Sequence, residues 1–437
     1  MVNYELYNEL GKFIDDTGLP VCDAIQFKRL TDTYGKEDFR ETLSEYIAKE
    51  RPKFPLKSIP FEDMRETFLE LKRFDTSKIL TPEKQNLNPV FEKYDDYRWS
   101  YAEYGLGIID GGSQFNTASN YFHQDLRLDC GTWQLKSPRQ TWEKGDAKDI
   151  WRTLGGLWRG INSTKDLSAN SYMEVIRLGT YIATQFKPVV AKAIYDMTEA
   201  KTVLDTSCGW GDRLCGFFAS NAKTYFGCDP NPNTYDRYMN QCQTYEEILT
   251  GEGTILQWGV TKKGKSYFVS SGEKNVVIFR CGAEDIPYDE LPDIDCAFTS
   301  PPYFSTEKYN AGGRAEEDQS WAKFDEYEKW RDDFYLPVAR ETMKKSKFML
   351  VNIMDPKIKN KRYYSGDELV AQHWDKFIGQ IGMKIRQRPK SDKLFENEEE
   401  KRKFETSTFI ENVWCFGPTD YDFFKHSRKG TLESFLG

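Results

Sequence analysis

The sequence predicts an α/β protein, a doubly wound and mostly parallel sheet preceded by a smaller mixed α+β region. Three observations carry this. Beyond about residue 168, short β-rich runs alternate with segments of helical period, the pattern of strands joined by helical crossovers. Three successive runs end in acidic residues, at Asp205, at Asp229 and at Glu284 and Asp285. The 437 residues also exceed what one average domain needs. Two regions are therefore expected, 1–167 as an accessory or substrate-recognition part and 168–437 as the sheet domain.

In the first region, FRETLSEYIAKE and FEDMRETFLELKRF have helical spacing. The piece from Tyr94 to Thr141 is less regular and rich in Tyr, Trp, Asn and Arg. Such a mixture can stack on bases, although an ordinary α+β core with polar loops is the plainer reading. In the second region SYMEVIRLGTYIATQF reads as a helix, and Pro188 opens another. KTVLDTS is a strand, GDRLCGFFASNA a helix, KTYFGCD a strand and NTYDRYMNQCQTYEEIL a helix. An inserted hairpin spans Gly251 to Asn275, its lysines (262, 263, 265 and 274) read as a solvated loop. NVVIFRC and DIDCAFTS are strands, and FDEYEKWRDDFYLPVARETMKKS is a long helix that Pro337 must kink or split. KFMLVNIM is a strand, GDELVAQHWDKFIGQIG a helical segment, and MKIRQRP with FIENVWCFG a closing strand pair.

Composition narrows the function. No basic n-region precedes an apolar run at the N-terminus, and no stretch approaches a membrane span. Nine cysteines form no CxxC pair, which suits buried free thiols in a reducing cytoplasm. Three histidines leave a zinc site little to draw on. A net charge of −8 is unlike a broadly basic nucleic-acid binder, but leaves room for a local basic groove.

Ligands of a doubly wound sheet bind at the carboxyl ends of its strands. VLDTSCGWGDRL places Asp205 where a strand stops, with Gly209 and Gly211 in the turn after it. Glycines let the backbone turn sharply and approach a ligand. The third glycine of the nicotinamide fingerprint is missing. Asp229 can accept both hydrogen bonds of a ribose diol, and Glu284 or Asp285 can accept from an adenine amino group. The fourth strand runs into TSPPYF. There Ser300 and the Pro301 carbonyl can accept both N–H bonds of an aromatic amine, whose lone pair is otherwise delocalised into the ring. The stiffness of Pro301 and Pro302 holds those acceptors in place beforehand, and Tyr303 can stack on the base. The bland alternatives are a proline turn ending a strand and acids that cap helices.

These motifs resemble the S-adenosylmethionine-dependent amino methyltransferases of DNA. The resemblance runs from about Tyr172 to Pro418 and implies a Rossmann-like, mostly parallel seven-stranded methyltransferase sheet with a final antiparallel strand. It implies S-adenosyl-L-methionine as cofactor. DTSCGWG would line the methionine end with Asp205, Ser207, Gly209 and Gly211. GCDPN would supply Asp229 for the ribose, and GAEDIP would supply Asp285, or Glu284, for the adenine. TQFKPVVAKAI would place Phe186, Lys187 and Pro188 near the methionine carboxylate, with Thr299 also on the cofactor side. TSPPY would be the catalytic motif, Ser300 to Tyr303, and its TSPP form is closest to the enzymes of cytosine N4, with adenine N6 second. Phe304 and Arg314 would face the substrate. FSTEKYNAGGRAEEDQSW would be a mobile loop hinged at Gly312 and Gly313, with Arg314 reaching a phosphate.

The sequence departs from that family in lacking a long target-recognition insert. Recognition then falls to the N-terminal region, to the stretch near Ser391, or to a partner. DNA is the expected partner and RNA the next. Methylation of RNA or of a protein side-chain amide, and a non-catalytic protein that keeps the fold, are the rival readings. Rich use of Lys, Asn, Tyr and Phe is phage-like or virus-like. That usage would place the chain in the cytoplasm of a bacterium or an infected host, where a role in restriction-modification is expected.

Overall fold

A computed structural model describes residues 2–82, 87–89, 101–304, 306–358, 360–385, 395–406 and 408–427. The irregular piece from Tyr94 to Thr141 lies partly outside these residues, as does the stretch near Ser391. The chain divides into two compact units, 1–60 with 124–184 and 307–313, and 61–123 with 185–306 and 314–437. The division expected at residue 167 is therefore not the one found. Residues 61–123 belong with the sheet, because their strands extend it.

The first unit is helical around its own core. Its helices include Lys36–Glu50, with Glu37 and Asp38 in the first turn, where they oppose the positive end of the helix dipole. Helix Pro138–Lys144 begins with a capping box between Ser137 and Gln140. Trp142 and Tyr172 are fully buried. Each satisfies its polar tip on a backbone carbonyl, Trp142 Nε1 on Pro52 at 2.8 Å and the Tyr172 hydroxyl on Pro20 at 3.0 Å.

The second unit holds one large sheet. Its strands in chain order are β1 (Leu80–Thr81), β2 (Leu87–Pro89), β3 (Gly105–Ile109), β4 (Thr202–Asp205), β5 (Thr224–Cys228), β6 (Ile255–Val260), β7 (Ser266–Ser271), β8 (Asn275–Phe279), β9 (Ile294–Thr299) and β10 (Ser346–Asn352). A small separate pair comes next, β11 (Lys357–Ile358) and β12 (Lys361–Arg362), and then β13 (Phe377–Lys384) and β14 (Thr408–Phe416) complete the sheet. The spatial order is β1-β3-β13-β14-β10-β9-β4-β5-β8-β7-β6, with β2 also pairing with β14. The five strands β10, β9, β4, β5 and β8 run parallel, and β14 is antiparallel to both β10 and β13. This is the Rossmann-like, seven-stranded methyltransferase arrangement that the resemblance implies, extended by β3 and β1 beyond β13 and by β7 and β6 beyond β8.

The five parallel strands and the helices after β4 and β5 lie where the sequence puts them. Two segments and Lys274 differ. The helix read over SYMEVIRLGTYIATQF ends at Ile176. FIGQIG is strand, not helix, because β13 is paired on both sides, with β14 and β3. The long helix persists from Tyr327 to Lys345, and Arg331–Tyr335 widens to a π turn just before Pro337. That turn absorbs the hydrogen bond the proline cannot donate. The hairpin is β6 and β7. Its neighbour Lys274 is buried, not solvated, and caps a helix end through the Phe217 and Ser220 carbonyls at 3.1 and 3.0 Å. Among the described residues no helix is long and apolar enough to cross a membrane.

Candidate active site at the switch point of the sheet

From β4 the chain builds outward to β5 and β8, then returns to place β9 and β10 on the other side of β4. The loops after β4 and β9 therefore flank the point where strand order reverses, the place where open α/β sheets bind ligands. They are Thr206–Gly211 and Ser300–Tyr303. Hydroxyls knit the two together. Thr206 Oγ1 and Thr299 Oγ1 are 3.0 Å apart, Ser207 Oγ and Thr299 Oγ1 2.8 Å, and Ser207 Oγ donates to the Ser300 carbonyl at 2.7 Å. The two motifs thus form one rigid edge.

The β4 loop is held from beneath. Asp205 is fully buried. It accepts from Arg213 Nε at 2.9 Å, from the Tyr225 hydroxyl at 2.7 Å and from the Ser207 N–H at 3.1 Å. Burial pushes Arg213 down, and the pairing with Asp205 more than reverses this, so its charge is secure. Arg213 also donates to the Ser207 carbonyl and lies over the Phe186 ring at 5.5 Å. Asp205 thus shapes the loop and does not offer itself to the crevice. Gly209 and Gly211 both have left-handed backbones, at φ 56° and 68°. A Cβ on Gly209 would meet the Ser207 carbonyl oxygen at 3.7 Å, an ordinary contact, whereas one on Gly211 would strike Gln241 and His123.

Asp229 comes directly after β5 and closes the same loop. One carboxylate oxygen accepts from the Gly209 N–H at 2.9 Å and the Tyr238 hydroxyl at 3.0 Å, the other from the Asn231 N–H at 2.8 Å. Burial pushes this carboxyl up to about 6, against the opposing pull of those donors. The Thr234 hydroxyl reaches this carboxylate too. Its acceptor positions, about four in a carboxylate, are thus engaged, and a ribose hydroxyl must take the place of one of these donors.

The other expected cofactor residues divide. Pro188 begins helix Pro188–Met197 and is buried, and Phe186 packs edge-on to Phe298 at 5.5 Å. Lys187 donates to the Lys384 carbonyl at 2.7 Å, and burial lowers its pKa. Glu284 pairs with Lys323, and Asp285 with Lys265 of the hairpin at 3.0 Å. Both acids are thus engaged by lysines from distant segments.

In the Ser300–Tyr303 turn Pro301 is buried, and Ser300 Oγ lies 3.2 Å from the Tyr303 hydroxyl. The Pro302 carbonyl is taken by the Phe304 N–H at 2.8 Å. Phe304 is corrected from substrate contact to core residue. Its backbone turns left-handed at φ 51° and buries the ring against Tyr327 and Trp330, at 6.0 and 6.1 Å. Arg314 is exposed and 3.7 Å from Asp236. The loop expected to be mobile is anchored instead. Residues 307–313 belong to the first unit, where Glu307 accepts from the Tyr181 and Tyr309 hydroxyls and the Lys308 N–H donates to the Gly131 carbonyl at 2.9 Å.

Sequence reasoning missed Asn352, at the end of β10, and Glu411, on β14. Both reach the Tyr303 hydroxyl, Glu411 Oε1 at 2.7 Å and Asn352 Oδ1 at 3.4 Å. No catalytic motif contains either residue.

No family model matches the chain, and no curated protein is similar to it. Among solved structures, the N-terminal domain of EvdMO1 with SAH and D-fucose aligns at 8% identity over 54% of this chain and 84% of its own, with a TM-score of 0.30. The precorrin 8w decarboxylase of Methanobacterium thermoautotrophicum aligns at 12% identity over 54% and 92%, also at 0.30. Likenesses this faint carry no weight beside the topology and geometry of the chain itself.

Proposed function

We propose that the chain transfers a methyl group from S-adenosyl-L-methionine to the exocyclic amino group of a DNA base, N4 of cytosine before N6 of adenine. The observation that carries this reading is the hydroxyl-bonded union of a glycine loop and a Ser-Pro-Pro-Tyr turn at the switch point of the sheet. The cofactor, when bound, supplies an electrophilic methyl on a sulfonium sulfur. The Gly209 turn, where no side chain crowds the loop, would lie along it, and a ribose hydroxyl would take the place of one of the donors on Asp229. Phe186 and Lys187 stand at the start of the helix that borders the β4 loop.

Ser300 Oγ and the Pro301 carbonyl then hold the two N–H bonds of the amine. Their pull concentrates the lone pair on nitrogen, and the proline pair fixes them before substrate arrives. Placing the nitrogen in line with the methyl supplies much of the remaining rate. A base within a duplex must first be flipped out to reach this turn.

The test is methyl transfer by Ser300→Ala and Tyr303→Ala. Each should lower turnover by about 100-fold or more and leave cofactor affinity nearly unchanged. Full activity in both would sink the assignment. Duplex DNA, single strands, RNA and a protein extract, assayed side by side, separate the substrate classes.

A further inference from the structure

Glu411 extends the Ser300–Tyr303 turn into a directed chain of hydrogen bonds. Its Oε1 accepts from the Tyr303 hydroxyl at 2.7 Å and from Asn352 Nδ2 at 3.1 Å. Asn352 Nδ2 also donates to the Asn412 carbonyl at 3.1 Å, which fixes the amide and, through it, the carboxylate. The Tyr303 oxygen in turn lies 3.2 Å from Ser300 Oγ.

An ionised carboxylate accepts and never donates. The Glu411 contact is far shorter than the 3.4 Å contacts of the Tyr303 hydroxyl with the Asn352 carbonyl and Oδ1. The Tyr303 proton therefore points at Glu411, and the Tyr303 oxygen meets Ser300 Oγ as an acceptor. The Ser300 hydrogen then points at Tyr303. What Ser300 Oγ shows the crevice is a lone pair. Without the carboxylate, the serine hydroxyl is a free rotor that donates as readily as it accepts.

We propose that Glu411 is the positioning residue that makes Ser300 an obligate acceptor, so that the site takes an amino group and refuses a carbonyl at the same ring position. It would thereby select cytosine over uracil or thymine, and adenine over hypoxanthine. The proposal rests on the reading of Ser300 as the amine-binding group. It adds what enforces that role and which substrates it excludes. A site built to pair a polar group discriminates strongly, because the wrong partner leaves its own polar atom unpaired.

The test uses the full chain with S-adenosylhomocysteine present and measures the affinity of oligo(dC) against oligo(dU), and of oligo(dA) against oligo(dI). The wild type should prefer the amino-bearing member of one pair by about tenfold or more. Glu411→Leu, which removes the acceptor, and Tyr303→Phe should each lower that preference by about threefold or more, the Pro301 carbonyl keeping the rest. The double variant should do no worse than the singles, since both break one chain. Cofactor affinity should not move. Tyr303→Phe keeps the ring and carries the test alone should Glu411→Leu fail to fold. A preference undiminished in either folded variant, or absent from the wild type in both pairs, overturns the proposal. A preference lowered as expected, in a protein that methylates no nucleic acid, counts against the functional reading and leaves this one standing.

Discussion

At the scale of single residues, the crevice is defined by which acids are spent and which are available. Asp205 is spent on Arg213, Tyr225 and the Ser207 N–H, and keeps the β4 loop in shape. Asp229 is held by neutral donors, the Gly209 and Asn231 N–H groups and the Tyr238 hydroxyl, which a ribose hydroxyl can replace in part. Its folded pKa of about 6 lies above the ordinary carboxylate value, because burial disfavours the charge. A ribose diol needs the ionised form as acceptor. Cofactor affinity should hold above about pH 6 and weaken by up to tenfold per pH unit below it. Titration of the wild type across that range checks this, and a flat profile would remove Asp229 from the ribose. The expected adenine acids fare differently, since lysines from the hairpin and from helix Ser320–Lys323 already hold both.

At the scale of elements, strand tips were legible because each is a local pattern, an apolar run closed by an acid or a glycine. Pro188 at a helix start and the disruption at Pro337 were legible for the same reason. Glu411 was not. Its place beside Tyr303 depends on β14 pairing antiparallel with β10, Val413 opposite Asn352, and on β10 pairing with β9, Val351 opposite Thr299. No local pattern encodes two registers between strands so far apart in the chain. The burial of Phe304 was hidden likewise, because a single left-handed residue decides which way the ring points.

Helix Ser365–Gln372 supplies a prediction at this scale. Asp355, just past β10, accepts the Gly366 N–H at 3.1 Å and so caps that helix from outside. Burial pushes its carboxyl up to about 7. A folded pKa raised above the unfolded one gives stability that is full below the unfolded value and lost as pH rises through the folded one. This acid should therefore cost the fold on the order of 2–4 kcal/mol between about pH 4 and 7. Asp355→Asn keeps the cap and removes the charge, so denaturant unfolding should show that part of the pH dependence gone. An unchanged profile would mean that the carboxylate is better satisfied than its burial implies.

At the scale of the whole molecule, the N-terminal third is not one accessory domain. Residues 1–60 build a helical unit with 124–184, while 61–123 supply β1, β2 and β3 to the sheet. The extension brings new groups to the crevice end of the sheet, since β3 runs parallel to β13 and leads into Asp110, which pairs with Lys384. Lys384 in turn accepts from Lys187 through its carbonyl. The side of the site beyond Tyr303 is thus walled by segments far apart in sequence, which is why composition alone did not reveal it. The central claim is that the switch point holds S-adenosyl-L-methionine. Calorimetric titration of the purified chain with that cofactor and its demethylated product tests it most directly. The predicted result is micromolar binding that weakens about tenfold or more, roughly 1.4 kcal/mol, in Asp229→Ala. A folded chain that binds neither ligand, or binds both equally well without Asp229, would contradict it.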